Sequence, residues 1–312
     1  MVKRTARLLL RAAGGLALLG AALWLAGPAA LGQALLRVDP LVFLVALLAS
    51  IASNVASALR WATIARALDL AAPTASFVAM YARAMTSNTI LPGATLSGDM
   101  LRAYELSRRG NPLLEASVSV GFDRLSGLWT LCVLSFVAAG IALAAGVSLS
   151  FGAHGREVLW GYGLMLSGIV VLPLIPWPIG VLRRIRMQTV QRLADWWERY
   201  RDPDTGIRRR FVRSLGLSIV VQILSAAALV LCGLSLGSPA PPLLTFAAAA
   251  PIFVMGALPI GVAGFGTREL AAVAVLGLAG VSPDIAAATG LLYGILGMLQ
   301  GVLAAPLFLI RR

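Results

Sequence analysis

The first stretch whose residues could do chemistry runs from Asn88 to Arg102. An apolar run reaches a Pro-Gly pair at 92–93, and Ser-Gly-Asp at 97–99 has the pattern of a new helix start. Proline ends the first helix, glycine permits the turn, and serine or aspartate caps the next helix. Because Asp99 and Arg102 follow this break in a very apolar chain, they are costly unless they line a cavity.

A second stretch, residues 258–269, repeats this device with a Leu-Pro pair, glycines, a capping residue and charge. Its distinctive residues are Gly264, Gly266, Thr267, Arg268 and Glu269. Two broken apolar segments in corresponding halves of a membrane protein indicate the binding site of a transporter built from inverted repeats.

Helices that begin inside a membrane direct unpaired N–H groups and partial positive charge into the cavity between them. Glycine lets a ligand approach the backbone, and the guanidinium fork of arginine can bond two phosphate oxygens. These features favour an anionic ligand, most simply a phosphate. The candidate substrate-binding residues are Asn88, Gly98, Asp99, Arg102, Asp123, Arg124, Gly264, Gly266, Thr267, Arg268 and Glu269.

The acidic residues leave alternatives open. They could cap helices and neutralise arginines in internal salt bridges, as the three-residue spacing of Asp99 and Arg102 allows. They could also contact the substrate, or couple transport to protons through Asp99, Asp123 or Glu269. The pattern contains no hydrolytic triad, metal-spaced cluster or phosphate loop, so we expect no enzyme activity, no metal and no cofactor.

Composition sets the class of protein. Of 312 residues, 59% are hydrophobic and only 12% charged, with a mean hydropathy of +0.87, whereas soluble domains are nearer a quarter charged. We therefore predict an all-α integral membrane protein with a single membrane domain, 1–312. The net charge of +13 fits the positive-inside rule and anionic lipid head groups, so we expect no nucleic-acid partner. Cys132 and Cys232 lie in apolar runs and are expected to be buried thiols.

Apolar segments predict six full spans, at about 14–30, 41–64, 115–146, 159–182, 211–236 and 284–310. Residues from 31 to Pro40 are expected to form an external loop. A cleaved signal peptide is the alternative for the first span. Both termini are placed on the cytoplasmic side, and the arginine-rich segment 183–201 is predicted to be an amphipathic helix on that membrane surface.

The two broken segments, about 77–99 and 243–279, are too short on each side of their prolines to cross about 30 Å of hydrocarbon twice. We expect re-entrant helical hairpins that enter from opposite sides. Span, hairpin and span then form one repeat over 41–146 and an inverted one over 211–310.

Two further patterns concern helix contacts. Polar residues recur on one face of the second span, where they indicate either helix packing or a substrate path: Ser50, Ser53, Asn54, Ser57 and Arg60. The last span contains Gly290-x-x-x-Gly294 and Gly297-x-x-x-Gly301, which permit close helix contact and allow, without requiring, a homodimer.

The motifs together resemble a known family. They are Asn88 with Leu91-Pro92-Gly93 and Ser97-Gly98-Asp99-x-x-Arg102, then Asp123-Arg124-x-x-Gly127, then Gly264-x-Gly266-x-Arg268-Glu269. The chain resembles the lysylphosphatidylglycerol synthase transmembrane family, the flippase-like domain of the multiple peptide resistance factor. This resemblance implies a bacterial or archaeal cytoplasmic-membrane protein that acts on phospholipids or polyprenyl-phosphate-linked lipids. No aminoacyl-transferase domain follows the motifs, so we do not expect the chain to make lysylphosphatidylglycerol.

Three functions are compatible with this pattern. The first is a lipid flippase whose anion contacts are Arg102, Arg124 and Arg268, organised by Asp99 and Glu269. The second is a non-transporting scaffold that holds a separate lipid synthase or glycosyltransferase through residues 183–201. The third is a small-solute transporter.

Overall fold

The structure is a computed structural model that describes residues 28–90, 96–146, 163, 206–258 and 264–308. These residues form helices and short connections and contain no strand, which confirms the all-α prediction for the described part of the chain. The helices are α1 (Pro28–Leu36), α2 (Pro40–Ala67), α3 (Thr74–Ile90), α4 (Leu96–Ser107), α5 (Leu113–Ala144), α6 (Ile207–Ser235), α7 (Pro242–Ala247), α8 (Ala249–Ala257), α9 (Thr267–Gly277) and α10 (Pro283–Ala304), followed by a 3-10 turn at Ala305–Phe308.

Four described segments are long and apolar enough to cross a membrane: Pro40–Ala67, Leu113–Ala144, Arg209–Ser235 and Pro283–Phe308. They coincide with the second, third, fifth and sixth predicted spans. Most of the first span, the fourth span and the amphipathic helix at 183–201 lie outside the described residues.

The predicted loop before Pro40 is wrong in part, because residues 31–36 belong to α1. Proline is favoured in the first turn of a helix, and the alanines and leucines that follow Pro28 are strong helix formers. The next helix starts where Asp39 Oδ1 accepts the backbone N–H groups of Leu41 and Val42, at 2.8 and 3.2 Å. A side chain that satisfies these N–H groups fixes the start of α2.

In the structure, each broken segment has described helices on both sides of its predicted break. The first pair, α3 and α4, has arms of 17 and 12 residues. The second pair has α7 and α8, of 6 and 9 residues, on one side and α9, of 11 residues, on the other. Each arm is shorter than the roughly 20 residues of a full span. The breaks themselves, 91–95 and 259–263, lie outside the described residues.

The second arm of the first pair extends beyond the predicted end at residue 99. Because α4 continues to Ser107, both Asp99 and Arg102 lie within a helix and share one of its faces. A separate apolar core anchors each pair. The core of the first half includes Trp61, Phe77 and Leu106, and the core of the second half includes Ile252 and Leu276.

The longest helix contact joins the two halves, where α2 lies along α6. Ser53 is part of the polar face predicted for α2. Its Oγ donates to the Val221 carbonyl at 3.0 Å and lies 2.7 Å from Ser225 Oγ. At this position, the polar face serves helix packing.

Candidate functional site

Three arginines and two aspartates form a continuous chain of ion pairs in the first half. Its more buried carboxylate is that of Asp123 on α5, which is 1% exposed. Asp123 Oδ1 accepts Arg60 Nε at 2.8 Å, and its Oδ2 accepts Arg102 Nη1 at 2.9 Å. One carboxylate therefore joins α2, α4 and α5.

The chain continues toward the surface through Asp99. Asp99 Oδ1 accepts Arg102 Nη2 at 2.7 Å, and its two oxygens accept Nε and Nη2 of Arg124 at 2.8–3.1 Å. We call the sequence Arg60–Asp123–Arg102–Asp99–Arg124 the charged chain. Among the alternatives that the sequence left open for Asp99 and Asp123, the geometry favours arginine neutralisation.

Local sequence explains how these side chains meet. Asp99 and Arg102 are three residues apart, so they share a face of α4. Asp123 and Arg124 are adjacent and point about 100° apart, so the aspartate is buried while the arginine reaches outward to Asp99. The Arg102 guanidinium also lies over the Tyr81 ring, 4.8 Å from its centroid, an arrangement that favours a cation over an aromatic face.

Asn88 and Gly98 hold the arms of the first pair together. Asn88 Oδ1 accepts the Gly98 N–H at 2.7 Å and the Ser97 hydroxyl at 3.1 Å. A Cβ added to Gly98 would lie 2.6 Å from the Ala84 carbonyl oxygen. Glycine is therefore required here by the close approach of α4 to α3.

In the second half, Arg268 lies against three glycines. An added Cβ would lie 3.1 Å from Arg268 Nε at Gly256 and 2.8 Å from its Nη2 at Gly264, and at Gly294 it would collide with Nη1. The guanidinium also lies 5.5 Å from the Phe265 ring centroid. Small residues from α8, from the segment just before α9 and from α10 thus form the space that Arg268 occupies.

The residues beside Arg268 shape the start of α9. Glu269 Oε2 accepts the backbone N–H of Gly266 at 2.5 Å, and Thr267 Oγ1 donates to the Gly264 carbonyl at 3.3 Å. Gly264 and Gly266 have φ values of +78° and +91°, in the region that favours glycine. Glu269 therefore acts as a helix cap.

A polar cavity of about 190 Å³ lies between the two halves. Among its described lining residues, Arg268 is the only one with a formal charge. The others come from α2, α3, α8 and α10: Ser50, Asn54, Met85, Asn88, Thr89, Gly256, Tyr293, Gly294, Gly297, Met298 and Gln300. Two candidate site residues, Asn88 and Arg268, thus line one cavity from opposite halves.

An apolar trough of about 220 Å³ adjoins this polar cavity, with which it shares Asn54, Met85 and Gln300. Its remaining walls are Ile51, Val55 and Ala58 on α2, Val78, Tyr81 and Ala82 on α3, and Leu303 and Ala304 on α10. Two of these residues, Val55 and Leu303, are 43% and 66% exposed, so the trough opens on the outer surface of the helices.

Comparison with known families decides the class of this protein. Residues 12–305 match the family described as the lysylphosphatidylglycerol synthase TM region. The chain belongs to that family. With its apolar helices, this makes it a multi-pass membrane protein related to lipid handling. A search of curated proteins finds no match.

In this lysylphosphatidylglycerol synthase TM family member, the candidate residues fall into two groups. Asp99, Arg102, Asp123 and Arg124 belong to the charged chain, and Gly98 packs between helices. Arg268 and Asn88 line the polar cavity, supported by Gly264, Gly266, Thr267 and Glu269 around the start of α9.

The candidate list drawn from sequence omitted residues that complete both groups. Arg60, noted only as part of a polar face, is the second partner of Asp123. Asn54 and Gln300 border the cavity and bond to each other through Nδ2 and Oε1 at 2.8 Å. A polar amide in each of two apolar spans is a usable signal, since such groups seek partners within the membrane.

Proposed function

We propose that this protein translocates a phospholipid or another lipid-phosphate-linked substrate across the cytoplasmic membrane without chemically altering it. The observation that carries the proposal is that the polar cavity and the apolar trough adjoin and share Asn54, Met85 and Gln300 as lining residues. A cavity with one arginine suits a phosphate, and a trough that opens toward the bilayer suits a hydrocarbon chain. The two together match the two ends of a lipid.

In this proposal Arg268 is the main phosphate contact and Asn88 is a second polar contact. Asn88 Oδ1 accepts from Gly98 N–H and Ser97 Oγ, and the NH₂ group of the same amide is of a type that can donate to an anion. Arg102 and Arg124, which the first hypothesis treated as anion contacts, have a structural role in this proposal, because Asp99 and Asp123 already bind their guanidinium groups. They hold the first helical pair in place, and Arg268 contacts the lipid phosphate.

The proposed topology has six spans and two re-entrant pairs entering from opposite sides, with both termini cytoplasmic. The short arms of both pairs and their meeting at one cavity support it. Unpaired backbone groups at a break inside the membrane are tolerated where they line a cavity. An inverted repeat brings two such breaks to the same depth.

The test is lipid translocation by purified protein in liposomes that contain a fluorescent phospholipid. Arg268→Gln should lower the rate at least about tenfold, since a hydrogen bond to a charged group contributes roughly 1.5–3 kcal/mol. Arg213→Gln, at an exposed arginine of α6, is the matched control and should keep the rate within about twofold.

Equal rates for wild type and Arg268→Gln would contradict the site. Absence of translocation by the wild-type protein would contradict the function and favour a scaffold role.

A further inference from the structure

We propose that the apolar trough binds one hydrocarbon chain of the lipid whose phosphate lies at Arg268, so that the protein selects its substrate by chain as well as by head group. The inference deepens the proposed function and rests on it. It assigns a second subsite, formed by α2, α3 and the end of α10, that contributes no charge to binding.

The junction between polar cavity and trough has the composition expected where a head group meets a chain. Gln300 Nε2 donates to Ser50 Oγ at 2.8 Å, and Gln300 Oε1 accepts from Asn54 Nδ2, so the amides hold each other in place. Met85 lines both spaces as well. Methionine is unbranched and flexible, so it can adapt to a chain that passes it.

The size of the trough limits what it can hold. Its 220 Å³ is below the roughly 300–1,000 Å³ of pockets that enclose a drug-sized ligand. It therefore accommodates the first part of one chain. The remainder, and a second chain where the lipid has two, leaves past Val55 and Leu303 into the bilayer.

The charged chain fixes the wall of the trough. Tyr81 lines the trough and also contacts the Arg102 guanidinium. Because Arg102 is held by Asp99 and Asp123, this tyrosine rests on a buried side chain with little freedom. The trough thus has a preformed wall, which favours selection among chains of different shape.

The experiment compares the dissociation constants of methyl phosphate and octyl phosphate for full-length protein in maltoside micelles. Ala82→Phe fills the trough, and Val78→Phe on the same wall replaces it if the first variant does not fold. Either should weaken octyl phosphate binding by about tenfold or more, because the octyl chain can then no longer bury its CH₂ groups in the trough. Methyl phosphate binding should stay within about twofold. Val45→Phe, exposed on α2 and outside the trough, should change neither.

Arg268→Gln distinguishes failure of this inference from failure of the proposed function. It should weaken both phosphates by a similar factor. If Arg268→Gln has that effect but the trough variants leave octyl phosphate unchanged, or weaken both ligands equally, the chain subsite is overturned and the phosphate site stands. If Arg268→Gln changes neither constant, the phosphate site itself is overturned, and with it the inference that depends on it.

Discussion

The two broken helical pairs share a sequence device and use it in opposite ways. In the first pair, Arg102 is 1% exposed and is bound by two aspartates. In the second pair, Arg268 lies among glycines and aromatic rings and faces a cavity. The shared sequence pattern of break, glycine, cap and arginine therefore predicts the position of the arginine. It does not predict the function of that arginine.

The position of the neighbouring acid explains the difference. Asp99 lies one helical turn before Arg102, on the same face, where it can reach the guanidinium. Glu269 directly follows Arg268 and turns back to the Gly266 N–H at the start of α9. An acid at the third helical position caps the backbone, and the arginine beside it lines the cavity.

The largest effect should come from removing the most buried carboxylate of the charged chain, that of Asp123. Asp123→Asn leaves Arg60 and Arg102 buried beside a neutral amide, and breaking a buried pair in this way costs about 3–5 kcal/mol. Thermal unfolding in detergent measures the loss. The control is Asp284→Asn, the same change in the first turn of α10, which should cost at most about 1 kcal/mol. Equal losses of thermal stability in the two variants would contradict a structural role for the charged chain.

An intermediate effect is expected at the glycines that contact Arg268 in the second pair. A methyl group at Gly294 would collide with Arg268 Nη1 and lie 2.9 Å from the Phe265 ring. Gly294→Ala should therefore displace Arg268, slow lipid translocation about tenfold and cost about 1–3 kcal/mol of stability. Liposome assays and unfolding curves report the two effects separately.

The matched control for that variant is Gly277→Ala on α9, where an added Cβ meets nothing within 4 Å. It should translocate lipid normally and gain a little helix stability. Normal translocation by Gly294→Ala as well would show that the position of Arg268 does not matter to transport, and the contrast between the two pairs would lose its functional meaning.

The smallest effect should appear at the outer end of the charged chain. The Arg124 side chain is 43% exposed, and Asp99 keeps its bond to Arg102 when Arg124 is absent. Arg124→Gln should therefore cost no more than about 1 kcal/mol, as partly exposed ion pairs do. If Arg124→Gln lost as much stability as Asp123→Asn in the same unfolding assay, the charged chain would contribute to stability as one cooperative unit.

Local patterns allowed much of the helical fold to be predicted from the sequence. The Ser-Gly-Asp pattern at 97–99 predicted a helix carrying Arg102, and α4 is that helix. The predicted start is off by a few residues, because α4 includes Leu96 and the three residues lie within its first turn. The Gly-x-x-x-Gly spacings predicted close helix contacts. An added Cβ at Gly290 would lie 3.2 Å from Glu269 Cα, and one at Gly301 would collide with Thr89. Gly290 and Gly301 therefore pack against other parts of the chain, whereas an added Cβ at Gly297 would meet nothing within 4 Å, and a homodimer stays a prediction.

The candidate site could be predicted only in part, because its partners are distant in sequence. Arg60 and Asp123 are 63 residues apart, and no spacing rule connects them. The polar cavity joins residues as distant as Ser50 and Gln300, so its existence depends on how α2 and α10 pack. Sequence identified the arginines as unusual, while tertiary structure determined which of them join the charged chain and which one lines the cavity.

The charged chain also bears on how the protein is made. A charged residue in a lone span makes insertion costly, and Arg60 lies within α2, toward its C-terminal end. Arg60 meets Asp123 only after α5 has been synthesised, so α2 enters the membrane before its partner exists. The first half therefore reaches its full stability only when its helices have assembled in the bilayer. If synthesis stopped before α5, Arg60 would be in the membrane without its Asp123 partner.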